Sequence, residues 1–258
     1  MKIHILTENH ASGQCLAEHG LSYLIESDKK ILFDTGHSDL FLKNADKMKL
    51  DIENIDTVVL SHGHWDHGNG LKYLKNKKLI AHPGVFIKRY NRNRTDNIGL
   101  ELSYEDLSER FELICTKESY SISKNIVFLG EIPRLNGFES KKTDFIDENL
   151  KDDFVIDDSG LVIKSDDKIV IISGCAHSGI CNIIEYAKKI TGINRIKAVI
   201  GGFHLKDDGF QTKETIKYLK SQDIDQIYPS HCTELPALSM FYNSFIIKQV
   251  KTGFVLKI

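Results

Sequence analysis

The chain has 258 residues, 41% of them hydrophobic, and a formal charge of −2 at pH 7. That length and apolar content support a sizeable soluble core and argue against fibrous, membrane-spanning and disordered classes. So even a charge balance gives no global field to recruit nucleic acid or an anionic membrane, and any bound anion must be met by local arginines or lysines.

In chain order, the first stretch, MKIHILTENHASG, reads as a β-strand, because its apolar run is interrupted by His4 and closed by Thr7 and Glu8. It is too short for the apolar core of a signal peptide, and no segment approaches the roughly 20 apolar residues of a membrane span. A cytoplasmic protein is expected. The five cysteines, Cys15, Cys115, Cys175, Cys181 and Cys232, are odd in number and scattered, which speaks for free thiols or metal-site neighbours rather than a disulfide framework.

Strand patterns SYLIES and KKILFDT lead to a helical SDLFLKNADKMKL, the strand IDTVVLS, a helical GLKYLKN and the strand KLIAHP. The second half runs GLVIKS, KIVIISG, helical GICNIIEYAKKI, IKAVIGG, helical KETIKYLKSQ and IDQIYPSH. This alternation predicts an α/β fold. Leu24 to Gly36 aligns without a gap on Val162 to Gly174, sharing Ser27/Ser165, Asp28/Asp166, Lys30/Lys168 and Gly36/Gly174; two added residues then bring VVLSHGH onto AVIGGFH and His64 onto His204. Two similar ββαβ halves whose strand ends converge on one edge would explain the match, as would two hairpins that share a common turn by chance. With four prolines and no flexible linker, a single domain over residues 1–258 is expected. Periodicity weakens at about 83–157, where KRYNRNR and KKTDFIDENLKDD are polar, and this part reads as an insertion flanking a site.

The stretch VVLSHGHWDHGNG holds four metal-ligand side chains, His62, His64, Asp66 and His67, directly after an apolar strand. Imidazole nitrogen and carboxylate oxygen suit zinc, iron and manganese, and a site needs three or four of them converging. Residues two apart on an extended chain point the same way, so His62 and His64 share a side while Asp66 and His67 fall on the next turn. A lone histidine there would be an ordinary loop or core residue; four ligand types in HxHxDH spacing read as a metal site. Trp65 is expected to pack behind the loop.

HxHxDH after a buried strand, with Asp34 in LFDTG before it, resembles the metallo-β-lactamase-fold superfamily. The resemblance implies a four-layer αββα sandwich of two similar halves holding one or two divalent ions, zinc expected, with iron or manganese as alternatives. It further implies that Asp34 hydrogen-bonds the ligand loop, a common role for carboxylates beside histidine ligands. It puts His231, in IYPSHCTE, on the metal that meets Asp66 and His67, and His177, in IISGCAHSGICN, on the metal that meets His62 and His64. Cys175 stands where many relatives carry a bridging aspartate; it is either a thiolate ligand or a small buried residue. His204, opposite His64 in the other half, is assigned to substrate contact, with proton transfer or metal ligation as alternatives. His82 could belong to the outer part of the site, whereas His4, His10, His19 and His37 receive no role.

HPGVFIKRY, GEIPR, GCAHSGICN, GGFHL and SHCTE together resemble a subgroup that contains a dihydropterin-linked ribofuranosylaminobenzene 5′-phosphate synthase and generic metal-dependent hydrolases. The expected activity is hydrolysis of a phosphorylated, ester or lactone small molecule, with Asp66 orienting the attacking water. A synthase-like transferase and a non-catalytic metal-binding protein are the alternatives; dioxygen reduction is disfavoured, because the chain has neither a carboxylate-richer ligand set nor a flavin domain. Arg89, Arg92, Arg94 and Arg134 are candidate phosphate partners, with a solvated surface cluster as the other reading of KRYNRNR. A small-molecule substrate and no nucleic-acid or membrane partner are expected, with a homodimer as a further expectation.

Overall fold

The computed structural model describes residues 1–93 and 96–258. Its elements run β1 (Lys2–Thr7), β2 (Ser22–Glu26), β3 (Lys30–Phe33), α1 (Leu40–Lys47), β4 (Thr57–Val59), α2 (Trp65–Gly68), β5 (Lys77–Ala81), β6 (Arg89–Asn91), α3 (Tyr104–Arg110) and β7 (Phe111–Cys115). They continue through β8 (Tyr120–Ser121), β9 (Ile126–Phe128), β10 (Phe145–Asp147), β11 (Gly160–Ser165), β12 (Lys168–Ser173) and α4 (Ile180–Thr191). The remainder is β13 (Ile196–Gly202), α5 (Phe210–Lys220), β14 (Ile224–Ser230), α6 (Leu235–Ser244) and β15 (Val255–Lys257). The class is α/β, and no helix among the described residues is long and apolar enough to cross a membrane.

The chain forms two compact units: Met1–Lys117 with Thr143–Asp157 and Val250–Ile258, and Glu118–Lys142 with Asp158–Gln249. In the first unit seven strands pair in the order β15-β1-β2-β3-β4-β5-β7. β1, β2 and β3 are antiparallel, and β3, β4, β5 and β7 are parallel. A parallel step needs a crossover, and α1 supplies it between β3 and β4. Leu40, Phe41 and Ala45 are buried as a stripe on α1, and Phe41 and Ala45 pack with Leu32, Val58 and Leu79. Asn44 lies on that stripe because its amide bonds the backbone of Leu6 and Leu16, which satisfies a polar group that would otherwise be costly to bury.

In the second unit six strands pair in the order β14-β13-β12-β11-β9-β8. β11 and β12 form a hairpin, and β12, β13 and β14 are parallel. Ile180, Ile183, Ile184 and Ala187, at helical spacing, face α4 toward Ile169, Ile171 and Val199, and Gly192 at φ 70° ends the helix. Each such isoleucine contributes about 1.5–3 kcal/mol by leaving water.

Both units thus run hairpin, crossover helix, parallel strand. The matched hairpins differ in one respect that an ungapped alignment hides. Glu26 pairs with Lys30 across a three-residue loop, whereas Ser165 pairs with Lys168 across two residues, with Asp166 at φ 57°. Equivalent positions therefore pair one residue out of step.

The segment expected as an insertion is shared between the units. β6 and β10 pair with each other, β7 extends the first sheet beside β5, and β8 and β9 extend the second.

Candidate metal centre

β4 delivers the ligand loop of the first unit. Leu60 still donates to Ile80, and Ser61 and His62 then leave the sheet edge. His64 precedes α2 in an extended conformation, and its carbonyl accepts from the amides of His67 and Gly68, so Asp66 and His67 ride on the first turn of that short helix. The loop is backed by the chain after β6: Trp65 donates to the carbonyl of Ile98, and His64 bridges Gly99.

His62, His64 and His67 come together with little or no exposure. His62 Nε2 lies 3.0 Å from His64 Nδ1, and the His62 and His67 ring centroids are 4.3 Å apart. Asp34, fully buried just after β3 at φ 55°, organises them. It accepts from the Ser61 amide and hydroxyl, both at 2.7 Å, and lies 2.7 Å from His67 Nδ1. With its hydroxyl proton given to Asp34, Ser61 Oγ is an acceptor for His62 Nδ1 at 2.9 Å. Both Nδ1 atoms therefore act as donors, which puts the lone pair of each ring on Nε2.

Burial first, and then the charges of His67 and His64, hold His62 well below the ordinary histidine range. Burial first, and then Arg89, brings His64 down to about 3. Both rings are neutral at pH 7, the form in which imidazole binds metal. Two nitrogens bound at 2.0–2.1 Å at a tetrahedral angle lie about 3.3 Å apart, close to the His62–His64 separation, so the donor set fits a zinc-class ion.

Asp66 Oδ2 stands 3.8 Å from His67 Nε2 and 3.2 Å from Nε2 of His19. His19 was given no role by the sequence. It reaches Asp66 because the outer ends of β2 and β3 are neighbours, with the Gly36 amide on the Leu21 carbonyl, and this puts the segment before β2 beside the ligand loop. Trp65 does not simply pack behind the loop. Its ring sits 5.8 Å from His19 and 4.9 Å from His37.

Arg89 differs most from its expected role as a substrate cation. It is completely buried, bidentate on Asp157 at 2.7 and 3.2 Å, and paired with Asp153 at 2.9 Å. Asp157 also accepts from the Gly63 amide at 2.7 Å, between two of the clustered histidines. Burial alone would raise the Asp157 carboxyl; the Arg89 guanidinium and the Gly63 amide outweigh it and lower it. The guanidinium thus clamps the ligand loop from behind and is not presented to a substrate. Arg92 is exposed and paired with Asp152, and Arg94 lies outside the described residues. His82 caps the turn after β5, accepting from the Gly84 amide at 2.9 Å.

In the second unit, Cys175, His177, His204 and His231 gather where β12, β13 and β14 end. The His177 and His204 rings are 4.2 Å apart. Cys175 is buried and His204 half-buried. Beside them, Ser178 donates its amide and hydroxyl to the buried Asp158, whose carboxyl burial raises to about 6. The doubled aspartate in IDDSG was the only sequence sign of Asp158. Arg134 is half-buried, with Nε donating to Ser140 at 2.9 Å.

Residues 17–231 match the family model of the metallo-beta-lactamase superfamily. The chain is 39% identical, over 96% of its length and 97% of the relative, to an uncharacterized protein of Methanocaldococcus jannaschii. It is 34% identical, over 95% of its length and 92% of the relative, to the 7,8-dihydropterin-6-methyl-4-(beta-D-ribofuranosyl)-aminobenzene-5'-phosphate synthase of the same organism. A crystal structure described as a metal-dependent hydrolase of the beta-lactamase superfamily superposes with a TM-score of 0.88 at 31% identity, covering 100% of this chain and 99% of that one.

Proposed function

Because the chain belongs to the metallo-beta-lactamase superfamily, we propose that it is a metal-dependent hydrolase of a small phosphorylated, ester or lactone substrate. The observation that carries this reading is the Asp34 network, in which Asp34 and Ser61 accept from Nδ1 of His67 and of His62 and so place the lone pair of each ring on Nε2. Bound there, a divalent ion would polarise a carbonyl or phosphoryl oxygen and lower the pKa of water toward about 7.

The chain's own part is donation and orientation. His62, His64, Asp66 and His67 are the proposed ligands, and by family likeness His177 and His231 are proposed with them. Asp66 also accepts a hydrogen bond from the attacking water and so orients it. His204 meets the substrate, and Arg134 is a candidate cation for a phosphate. Zinc is the proposed ion, since imidazole and carboxylate together suit it.

The test is metal content by elemental analysis. His62→Ala and His231→Ala each lose metal and Arg134→Ala keeps it; full metal in either histidine variant would remove that residue from the set. A second reading, transfer in place of hydrolysis, is favoured by the synthase relative at 34% identity. Assaying the metal-loaded protein with phosphodiesters, lactones and pterin phosphates separates the two: water incorporated into product marks hydrolysis, and its absence marks transfer.

A further inference from the structure

The edge where β12, β13 and β14 end holds more sulfur than an imidazole–carboxylate centre needs. Each strand is followed by a non-glycine residue in the left-handed region: Ala176 at φ 47°, His204 at φ 49° and His231 at φ 49°. Side chains resist that conformation, and it persists only where the surroundings over-determine it.

These turns bring sulfur and nitrogen together. The ligand atoms of Cys175, His231 and Cys232 lie within 4.8 Å of one another, and so do those of Cys175, His177 and His204, which makes the Cys175 sulfur common to both groups. Room for the second thiol is made at Gly202, where a Cβ would stand 2.5 Å from Cys232 Sγ and 2.6 Å from the Gly174 carbonyl. Cys232 Sγ donates to the Cys175 carbonyl at 3.5 Å, which ties the two cysteine turns together. Burial as a small apolar residue accounts for Cys175 alone, not for a second thiol held against it beside imidazoles.

We propose that Cys175 and Cys232, with His231, hold a zinc-class ion as two thiolates and an imidazole. The proposal rests on the reading above in taking His231 as a metal ligand, and it gives the two thiolates to that same ion. Each thiol releases its proton to solvent as the metal–sulfur bond forms, so two thiolates balance the double charge of the ion. Paired thiolates select zinc, cadmium or cobalt over magnesium, calcium and manganese, which prefer oxygen.

The test is titration of chelator-treated protein with Co²⁺, following the sulfur-to-cobalt charge-transfer absorption, with thiols counted by an aromatic disulfide reagent with and without Zn²⁺. Wild type is expected to develop the band, and Zn²⁺ to protect two thiols. Cys175→Ser and Cys232→Ser lose most of the band, while Cys115→Ser retains it. Co²⁺ bound without the band, or a band undiminished in Cys232→Ser, overturns the thiolate site and leaves the metalloenzyme reading standing; failure of wild type to bind any metal overturns both. Should either serine variant not fold, as read by circular dichroism, thiol protection in wild type decides, and no protection overturns the proposal.

Discussion

At the scale of single residues, the ligand loop depends on groups outside HxHxDH. Asp34 serves Ser61 and His67 together, so an amide in its place can accept at one oxygen only and turns a donor toward His67 or Ser61. Asp34→Asn is expected to weaken metal affinity about 10–100-fold in a chelator competition; unchanged affinity would refute the positioning role. Arg89 is the other such residue. Arg89→Met leaves Asp153 and Asp157 buried without their cation, and urea unfolding should show a loss of about 3–5 kcal/mol. The HxHxDH set was legible because period-two spacing after an apolar strand aims its first two histidines alike. The clamp was not legible: a sequence shows that Arg89 is charged but not how deep it lies, and its partner Asp157 is 68 positions away.

At the scale of elements, the loop after β4 passes so close to the turn after β5 that only glycine fits at position 63. A Cβ on Gly63 would stand 2.0 Å from the Val85 carbonyl oxygen, a backbone atom that cannot swing aside as a flexible side chain could. Gly63→Ala therefore has to shift the chain between His62 and His64 and break the Asp157 bond. Metal content is expected to fall while far-UV circular dichroism stays close to that of wild type; a variant with full metal would show that the loop adapts. Element order and the parallel crossovers could be read from alternating apolar periods. The hairpin registers could not, because a loop of two or three residues leaves the flanking sequences looking equivalent while shifting every cross-strand pair by one. His19 was missed for a related reason: its place beside Asp66 follows from β2 and β3 lying side by side, and no local motif records that.

At the scale of the whole molecule, burying neutral histidines couples stability to acid and to metal. The folded pKa of His64 falls from 6.5 to about 3, and that of His62 falls well below 6.5. Between those values the unfolded chain binds protons that the folded chain does not, so the metal-free protein should lose stability as pH falls below about 6.5, by up to about 1.4 kcal/mol per pH unit for each histidine. Asp157, with its lowered carboxyl, adds a loss only below its ordinary 3.8, so the two effects separate along the pH axis. Zinc should act in the opposite direction to acid. An ion that binds only the folded state stabilises it by about 2.7 kcal/mol at 100 times its Kd. Urea unfolding of wild type at pH 7 should therefore show that increment on adding zinc and its removal by chelator. His62→Ala should lose most of the increment along with part of the acid sensitivity, since one residue is argued to cause both. If the variant kept the full zinc increment, His62 would not be a ligand, and its depressed pKa would mark only a buried ring.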